Sequence, residues 1–397
     1  MFHAFPAPDI FRDARDPASG NGLGDLPEWN LDDLYPGQDA PHLAKDLEWL
    51  AGETAAFAAD YQGKLAELDA AGMLACVHRY ENMQKIMGRV MSYAGLRYYQ
   101  NTIDPERGKF LADMQGKITD MSAQLVFFSL ELNRVPDDVL DGLLAANADL
   151  NRYKPVFDHI RKMKPYQLSD ELEQFLHDQS VVGASAWNRL FDETMAALTF
   201  DVDGEEMNLE ATLNLLSDTK RDRREAGARA LVEVFQNNLP LFARITNTLA
   251  KEKEIEDRWR KLPTPQMSRH LSNDVEPEVV QALRDAVVAA YPKLSHRYYA
   301  LKAKWLGLET LEVWDRNAPL PQEEDKKIGW DEAKKTVMDA YSSFDPRMAD
   351  IAQPFFEKGW IDAAVKPGKA PGAFAHPTVT DVHPYVMLNY LGKQRDV

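Results

Sequence analysis

The sequence has very little cysteine: Cys76 is the only one among its 397 residues. A single thiol excludes an internal disulfide, so no disulfide framework can hold this fold together. Cys76 lies between Leu74 and Val77 in an apolar helical pattern. A small buried side chain is the expected role there, in preference to a reactive nucleophile, which needs a lowered thiol pKa.

Long apolar runs and excess positive charge are also missing. No stretch approaches the ~18–20 uninterrupted apolar residues of a membrane helix. The first residues, Met1–Pro6, have neither the basic nor the apolar region of a signal peptide. The net charge of −17 argues against nucleic acid as a partner, because such binding depends on neutralising phosphates with Lys and Arg. We expect a cytoplasmic protein, with neither membrane nor nucleic acid among its partners.

Motifs for catalysis or metal binding are absent as well. The nine histidines include no pair four residues apart, which is the spacing with which one helix supplies two zinc ligands. His78 and Glu81 share a helix face with no second pair beside them, and the odd separation of His376 and His383 places strand side chains on opposite faces. No serine lies in a G-x-S-x-G elbow. The sequence therefore predicts no catalytic residue and no metal ligand in this chain.

The N-terminal segment lacks periodicity and is rich in Pro, Gly, Asp and Ala, which predicts a flexible lead-in over residues 1–25. Gly20, Gly22 and Gly24 could suggest a phosphate-binding loop. However, the segment follows no strand and lacks both the GxGxxG spacing and the Lys-Ser/Thr of a P-loop. A linker is therefore the better interpretation.

Most of the remaining chain has the periodicity of helices, with apolar residues at steps of three and four from about residue 41 to about 310. Asp104 and Pro105 suit the start of one helix, as an N-cap and a first-turn residue. Pro292 interrupts a second stripe, so we expect a kink or a break into two helices there. The two stripes are Leu111, Met114, Ile118, Met121, Leu125, Phe128 and Leu132, and Val280, Leu283, Val287, Tyr291, Leu294, Tyr298, Leu301 and Trp305.

Short strands are predicted in two regions. Alternation around Asp203 and Gly204, between Phe200 and Leu209, predicts a β-hairpin with a type I′ turn. After Trp305 the pattern changes, and helices are expected over 330–341 and near 348–356. The predicted strands of this region are Leu311–Trp314, the segment near Trp360, Gly372–Ala375 and Tyr385–Tyr390. The fold class is therefore mainly α, a large multi-helix body with a small β-sheet near the C-terminus.

Nine short segments follow one another along most of the chain in a specific order. They are Leu26–Tyr35, Tyr166–Leu172, Ser185–Leu190, Ser268–Ser272, Tyr298–Lys304, Val313–Asp315, Trp360–Asp362, Gly372–Ala375 and Tyr385–Tyr390. In this order they resemble the oligoendopeptidase F branch of the thimet-oligopeptidase-like zinc metallopeptidases. The resemblance implies a zinc-dependent metalloendopeptidase whose substrates are short oligopeptides. It also implies an N-terminal helical domain over residues 26–199 and the first part of a zincin-type catalytic domain over residues 200–397.

The zinc motif of that family is not in this sequence. In the family, the element after a strand like Tyr385–Tyr390 is the helix carrying H-E-x-x-H, and here the sequence ends at Val397 without it. The resemblance thus implies that zinc belongs to the intact family protein, that this chain binds none, and that the chain alone is inactive.

Two hypotheses follow from this difference. The first is an oligopeptidase chain whose C-terminal zinc-binding portion is missing, which makes that portion an expected partner. The alternative is a non-catalytic peptide-binding or scaffold protein that has lost its metal-binding half. Under the first hypothesis, Tyr385–Tyr390 and neighbouring apolar helix faces should lack packing partners, and poor solubility or marginal stability should follow.

One segment is a candidate peptide-binding site. It consists of Gly372, Ala373, Phe374 and Ala375, which follow Pro371. Small residues at a sheet edge would let an extended peptide approach closely and bind by adding a strand. On the residues alone an ordinary hairpin strand is favoured, whereas the resemblance favours the edge that lines the family's substrate cleft. These four residues are therefore the expected substrate-binding residues.

Overall fold

The structure is a computed structural model that describes residues 22–321 and 327–397, apart from the side chain of Arg395. Residues 1–21 of the predicted lead-in lie outside the described residues. Leu23, near the end of that lead-in, is buried in a cluster with Ile328 and Trp330, and its carbonyl accepts a hydrogen bond from the Trp330 N–H at 2.7 Å. No helix in the described part of the chain has both the length and the hydropathy of a membrane span.

The fold is mainly α, as the sequence predicts. Within the described ranges, the helices are α1 (Pro41–Tyr61), α2 (Ala70–Gln100), α3 (Pro105–Ala123), α4 (Val126–Arg134), α5 (Asp137–Ala146), α6 (Ala148–Asn151), α7 (Lys154–Arg161), α8 (Asp170–Gln179), α9 (Ala184–Ala197), α10 (Leu209–Leu215), α11 (Arg221–Asn237), α12 (Leu239–Arg260), α13 (Met267–Ser272), α14 (Pro277–Ala290), α15 (Ser295–Trp305), α16 (Trp330–Phe344) and α17 (Pro346–Glu357). The strands are β1 (Phe200–Val202), β2 (Glu205–Met207), β3 (Ile361–Asp362), β4 (Phe374–His376) and β5 (Tyr385–Met387).

Helix α3 begins as predicted, because the Asp104 carboxylate accepts hydrogen bonds from the N–H groups of Glu106 and Arg107 and Pro105 occupies the first turn. The apolar stripe of this region divides between α3 and α4, which are separated by two residues. It stays in the core across the break, since these members are buried: Met114, Met121, Leu125, Phe128 and Leu132.

The first core is built from helices α1 to α7. Cys76 lies within it and is fully buried. Burial raises the pKa of the Cys76 thiol to about 12, so the thiol stays protonated at neutral pH. The prediction of a small buried side chain at this position is confirmed.

The predicted hairpin is confirmed as β1 and β2, which pair antiparallel. Asp203 and Gly204 have φ values of 57° and 86°, and positive φ at both central residues is what a type I′ turn requires. The Gly204 N–H also donates to the Asp201 carboxylate at 2.7 Å. Phe200 and Val202 are buried and pack in one cluster with residues of α10 and α11.

The C-terminal strands form a three-stranded sheet of order β3–β5–β4, in which β3 is parallel and β4 antiparallel to β5. The opening segment 26–35 fastens this sheet to the helical body. The Trp29 indole N–H donates to the Val386 carbonyl at 3.0 Å, and the Tyr385 hydroxyl donates to the Asn30 carbonyl at 2.9 Å. These contacts join residues more than 350 positions apart in the chain.

The predicted strand at Leu311–Trp314 is wrong: Val313–Asp315 forms a single turn of 3₁₀-helix. The Glu312 N–H donates to the Asp315 carboxylate at 3.1 Å, which closes the turn locally. Asp315 also accepts hydrogen bonds from Arg221 and Arg224 of α11, both at 2.9 Å. These interactions satisfy the polar groups without a strand partner, so the apolar alternation does not decide the structure here.

The predicted break at Pro292 is confirmed, since α14 ends at Ala290 and α15 begins at Ser295. The stripe along these helices faces solvent, because Leu283 is 65% and Leu294 67% exposed. We call this surface the α14–α15 face; it consists of Val280, Leu283, Val287, Tyr291, Leu294, Tyr298 and Trp305. The described residues leave this apolar face uncovered.

The segment Tyr385–Tyr390 is packed, contrary to the expectation that it would lack a partner. Tyr385 and Met387 are fully buried and Tyr390 is 2% exposed. The Tyr390 hydroxyl donates to the Ile328 carbonyl at 2.9 Å, and its ring lies edge-on to Trp330 at 5.3 Å. The expectation was wrong because residues on both sides of this sheet, from within the same chain, supply the missing contacts.

Candidate functional site

The predicted substrate-binding segment Gly372–Ala375 lies at the edge of the C-terminal sheet. Strand β5 is in the middle of that sheet, and β4 pairs only with β5 among the described strands. Gly372 and Ala373 directly precede β4, which contains the other two residues. The structure thus places the four residues next to one another at the start of the edge strand, and their role in substrate binding stays a prediction.

The hydrogen bonds of the partner strand β5 show which N–H and C=O groups of β4 point to the free edge. The N–H groups of Val386 in β5 and of Leu388 directly after it donate to carbonyls on the β3 side, at 2.9 and 2.8 Å. Because N–H and C=O groups alternate in direction along a strand, Tyr385 and Met387 face β4. The β4 residues opposite these two bond to β5, so Ala375 between them directs its N–H and C=O to the free edge. Ala375 is exposed, and no described residue outside the sheet bonds to either group.

The side chains of β4 alternate in the same way. Phe374 and His376 lie on one face and are half-buried, with the Phe374 ring 5.3 Å from that of Tyr99 and 6.3 Å from that of Trp29. The His376 Nε2 lies 2.9 Å from the Ser92 hydroxyl. Burial lowers the pKa of His376, so this ring is neutral at pH 7. These contacts fix β4 on α2 while leaving its outer edge open.

Gly372 has a different role from its neighbours. Its N–H donates to the Glu210 carboxylate at 2.8 Å, and its carbonyl accepts from the Asn389 amide at 2.8 Å. Its φ of 81° is a conformation that suits glycine. Both main-chain groups are therefore engaged, which positions the start of the edge and leaves Ala375 as the exposed main-chain donor and acceptor.

A buried ion pair supports the loop that leads into the edge. The Lys369 ammonium donates to the Asp362 carboxylate at 2.6 Å and to the carbonyls of Ala364 and Leu388, both at 2.7 Å. Burial lowers the pKa of Lys369, and the charge of Asp362 opposes that effect. The Gln100 amide donates to the second Asp362 oxygen at 3.0 Å. With its donors satisfied, Lys369 ties β3, β5 and this loop together.

A cavity of about 310 Å³ adjoins β4 on the face that carries Phe374 and His376. Its lining includes Tyr99 and Thr102 near the end of α2, Phe374 and His376 of β4, and Asp192 of α9. Sequence reasoning missed Tyr99 and Asp192, because nothing in the local pattern of α2 or α9 indicates that these helices meet at the edge. Only the folded arrangement brings them together.

A larger cavity of about 1660 Å³ lies between helices α2–α4 and helices α8, α9 and α12. Its polar groups bond to one another. The Ser122 hydroxyl lies 2.7 Å from the His177 Nε2, and Arg260 forms an ion pair with Glu173 at 2.6 Å. The hydrogen bonds from Arg260 and the Leu168 N–H outweigh burial and lower the pKa of Glu173. The Ser122–His177 contact connects the two groups of helices, whereas the Arg260–Glu173 pair joins α12 to α8 within one group.

The described residues do not fit a zinc site. Across 22–321 and 327–397, no three His, Cys, Asp or Glu side chains are close enough together to hold a metal ion. His376 bonds to Ser92, whereas His383 stacks on Trp360 at 3.5 Å and bonds to Asp33 at 2.9 Å. Since no donor set is present there, no catalytic step is assigned to a metal on these residues.

Comparison with known proteins gives consistent matches. A model of the family described as oligopeptidase F matches residues 131–200. Oligopeptidase PepF of Bacillus subtilis (strain 168) is 24% identical over 369 residues, which cover 91% of this chain and 54% of that protein. The chain is therefore similar to oligopeptidases of the F type over most of its length. Group B oligopeptidase PepB of Streptococcus agalactiae serotype III (strain NEM316) is 25% identical over 315 residues, covering 78% of this chain and 52% of that protein.

The oligopeptidase F fold is also found among solved structures. The crystal structure of oligoendopeptidase-F from Enterococcus faecium matches with a TM-score of 0.66 and 21% identity, over 80% of this chain and 61% of that one. At this identity the likeness shows the fold alone. The chain spans about half the length of the two relatives above, 54% and 52%. The family model covers the end of α4 through β1, so it includes α9 and not the β4 edge.

Proposed function

We propose that this chain supplies the peptide-binding scaffold of a zinc-dependent metalloendopeptidase that hydrolyses short oligopeptides. The observation that carries the proposal is the open edge of β4, with the exposed main-chain groups of Ala375. The peptidase names of the related chains support it, because an oligopeptidase must bind extended peptides. In this proposal the helical body limits access to short, unfolded peptides, and residues Gly372–Ala375 align them.

The edge can bind a peptide by strand addition. An extended peptide beside β4 would accept a hydrogen bond from the Ala375 N–H and donate one to the Ala375 carbonyl. The methyl side chains of Ala373 and Ala375 are small and exposed, so they let a peptide backbone approach closely. Main-chain bonds of this kind give affinity without regard to sequence, which suits an enzyme for varied oligopeptides.

The metal chemistry is assigned to the family and not to the described residues of this chain. A zinc ion bound by family members would polarise the scissile carbonyl and activate water. We propose that a further portion of the intact protein holds the zinc and packs against the α14–α15 face. The half-length coverage of the relatives and the exposure of that face support this occupant. The chain alone is accordingly proposed to be inactive, and its acidic composition fits a cytoplasmic setting.

A second candidate is a non-catalytic peptide-binding or scaffold protein. The burial of Tyr385–Tyr390 within the chain favours it, because the C-terminal sheet packs without help from another segment. A cleavage assay on the purified chain can contradict both candidates. Chelator-sensitive cleavage of an oligopeptide by the purified 397-residue chain would contradict both the proposed inactivity and the assignment of the zinc to another portion.

Peptide binding by edge variants tests the function directly. Ala375→Pro removes the outward N–H, so the affinity for a fluorescein-labelled oligopeptide should fall about tenfold or more, as measured by fluorescence anisotropy. Ala375→Ser keeps the N–H and is the matched control, with little expected change. Equal affinities for the two variants would contradict binding at this edge, whichever of the two candidate functions holds.

A further inference from the structure

The cavity beside the β4 edge carries a carboxylate without a counterion. Asp192 is half-buried and, among the described residues, forms no hydrogen bond or ion pair. Its neighbour Glu193 pairs with Arg189 at 3.6 Å, so that arginine already has a partner. Burial, with a further contribution from the charge of Glu193, raises the pKa of Asp192. A carboxylate in this state gains most from a positively charged ligand group.

Three other half-buried or buried carboxylates of this chain have a cation partner that the fold supplies, which Asp192 lacks. Glu173 bonds to Arg260, Asp362 to Lys369, and Asp315 to two arginines of α11. Each of these carboxylates has a cation within 3 Å supplied by the fold. Asp192 instead faces a space of about 310 Å³. The missing cation therefore has room to come from outside the chain.

Aromatic rings form the walls next to this carboxylate. Tyr99 and Phe374 line the same cavity, and their ring centroids are 5.3 Å apart in an edge-to-face arrangement. Burial raises the pKa of Tyr99, and the charge of Asp192 adds to this effect, which places the phenol and the carboxylate within electrostatic reach. A carboxylate beside aromatic faces is a receptor for a guanidinium or ammonium group.

The nearby basic side chains have other partners and do not act as a counterion for Asp192. His376 lines the cavity, but burial lowers its pKa and its Nε2 is engaged with Ser92. Lys369 directs its ammonium to Asp362 and to carbonyls of the loop before the edge. Arg189 pairs with Glu193. Among the described residues, the lining thus combines a carboxylate with aromatic rings and has no cationic side chain free to pair with it.

The position of the cavity relates it to a peptide on the edge. Phe374 and His376, whose side chains alternate with that of Ala375, line the cavity. A peptide strand added beside Ala375 has the same alternation, so every second side chain lies on the Phe374 face. A volume of about 310 Å³ accommodates one long side chain. One peptide side chain would then enter between Tyr99, Phe374 and Asp192.

We infer that this cavity is a specificity subsite for a lysine or arginine side chain of the bound peptide, with Asp192 as the residue that selects it. The inference rests on the proposed peptide binding at the β4 edge and adds the class of peptide. The cationic group bonds to the Asp192 carboxylate while its aliphatic stem lies against the Tyr99 and Phe374 rings. A norleucine in the same position offers the stem without the charge.

Paired peptides and paired variants test this subsite. Two labelled peptides, identical except for arginine or norleucine at one position, are titrated into the 397-residue chain and binding is followed by anisotropy. The arginine peptide should bind about tenfold more tightly. In Asp192→Asn this preference should disappear while the affinity for the norleucine peptide stays the same. Glu193→Gln, one residue away on the same helix, should keep the preference.

The possible results distinguish failure of the Asp192 subsite from failure of peptide binding at the β4 edge. Equal binding of the two peptides by the unmodified chain, or an unchanged preference in Asp192→Asn, overturns the subsite while the edge function stands. If neither peptide binds, the edge function fails, and the subsite is then judged with acetyl-arginine amide as a small probe. Binding of this probe by the unmodified chain and not by Asp192→Asn sustains the subsite; no binding, or equal binding by both, overturns it.

Discussion

At the scale of single residues, Asp315 shows how this fold holds a buried charge. Its carboxylate is fully buried and bonds to Arg221 and Arg224, both at 2.9 Å. Burial by itself would raise the pKa of this carboxyl, but the hydrogen bonds from the two arginines outweigh burial and lower the pKa to about 2. The pair joins α11 to the turn that follows α15, and so connects two regions distant in the sequence.

Replacing Asp315 by Asn tests this connection. The substitution leaves the buried Arg224 guanidinium without its counterion, so the free energy of unfolding should fall by about 3 kcal/mol. Urea denaturation at neutral pH measures the change. Asp339→Asn, in an exposed pair with Lys335, is the control and should have little effect. Similar losses in both variants would show that burial of the pair is not what stabilises the chain.

The same substitution has a defined pH dependence. The pKa of Asp315 is lower in the folded chain than the ordinary aspartate value of 3.8, so the stabilisation is present above that value and is lost as pH falls toward about 2. The difference in unfolding free energy between the unmodified chain and Asp315→Asn should therefore shrink between about pH 5 and about pH 3. A constant difference over this range would rule out a lowered pKa.

Sequence reasoning at this scale succeeds where the cause is local. The burial of Cys76 follows from its apolar neighbours, and the cap at Asp104 from the proline beside it. Asp315 could not be predicted, because its arginine partners lie 91 and 94 residues away. Asp192 gives no signal either, since its significance depends on α9 meeting the edge of β4.

At the level of secondary-structure elements, turns that need a positive φ could be predicted from the sequence. Strands inferred from apolar alternation were less reliable. The β1–β2 hairpin follows from Asp203 and Gly204, which tolerate positive φ. Leu311–Trp314 has comparable strand character, yet polar contacts made by Asp315 and Glu312 decide its structure. The open edge of β4 was predicted from its small residues and the family resemblance together. The cavity beside it required the structure.

The α14–α15 face supplies a prediction about surface chemistry. The double variant Leu283→Lys/Leu294→Lys should reduce binding of an apolar fluorescent dye, because both side chains are about two-thirds exposed. The free energy of unfolding should hardly change, since neither side chain belongs to a core cluster. Val313→Lys, at an exposed position outside this face, is the control. Unchanged dye binding in the double variant would mean that this face is covered in solution.

At the scale of the whole molecule, the chain combines an oligopeptidase F fold with about half the length of its relatives. The described residues pack the C-terminal sheet from both sides, whereas they leave the α14–α15 face exposed. The packing of the C-terminal sheet was not predicted, because the sequence does not reveal that segment 26–35 and Ile328–Trp330 cover Tyr385–Tyr390. We propose that peptides bind along the β4 edge of this molecule.

Amide hydrogen exchange of residues 374 and 375, followed residue by residue, tests peptide binding at this edge. In the free chain the Ala375 amide should exchange fast because it faces the open edge, and the Phe374 amide should exchange slowly because it bonds to β5. Adding an acetylated oligopeptide at saturating concentration should slow exchange at Ala375 and leave Phe374 unchanged. Fast exchange at Ala375 in the saturated complex would contradict peptide binding along the β4 edge.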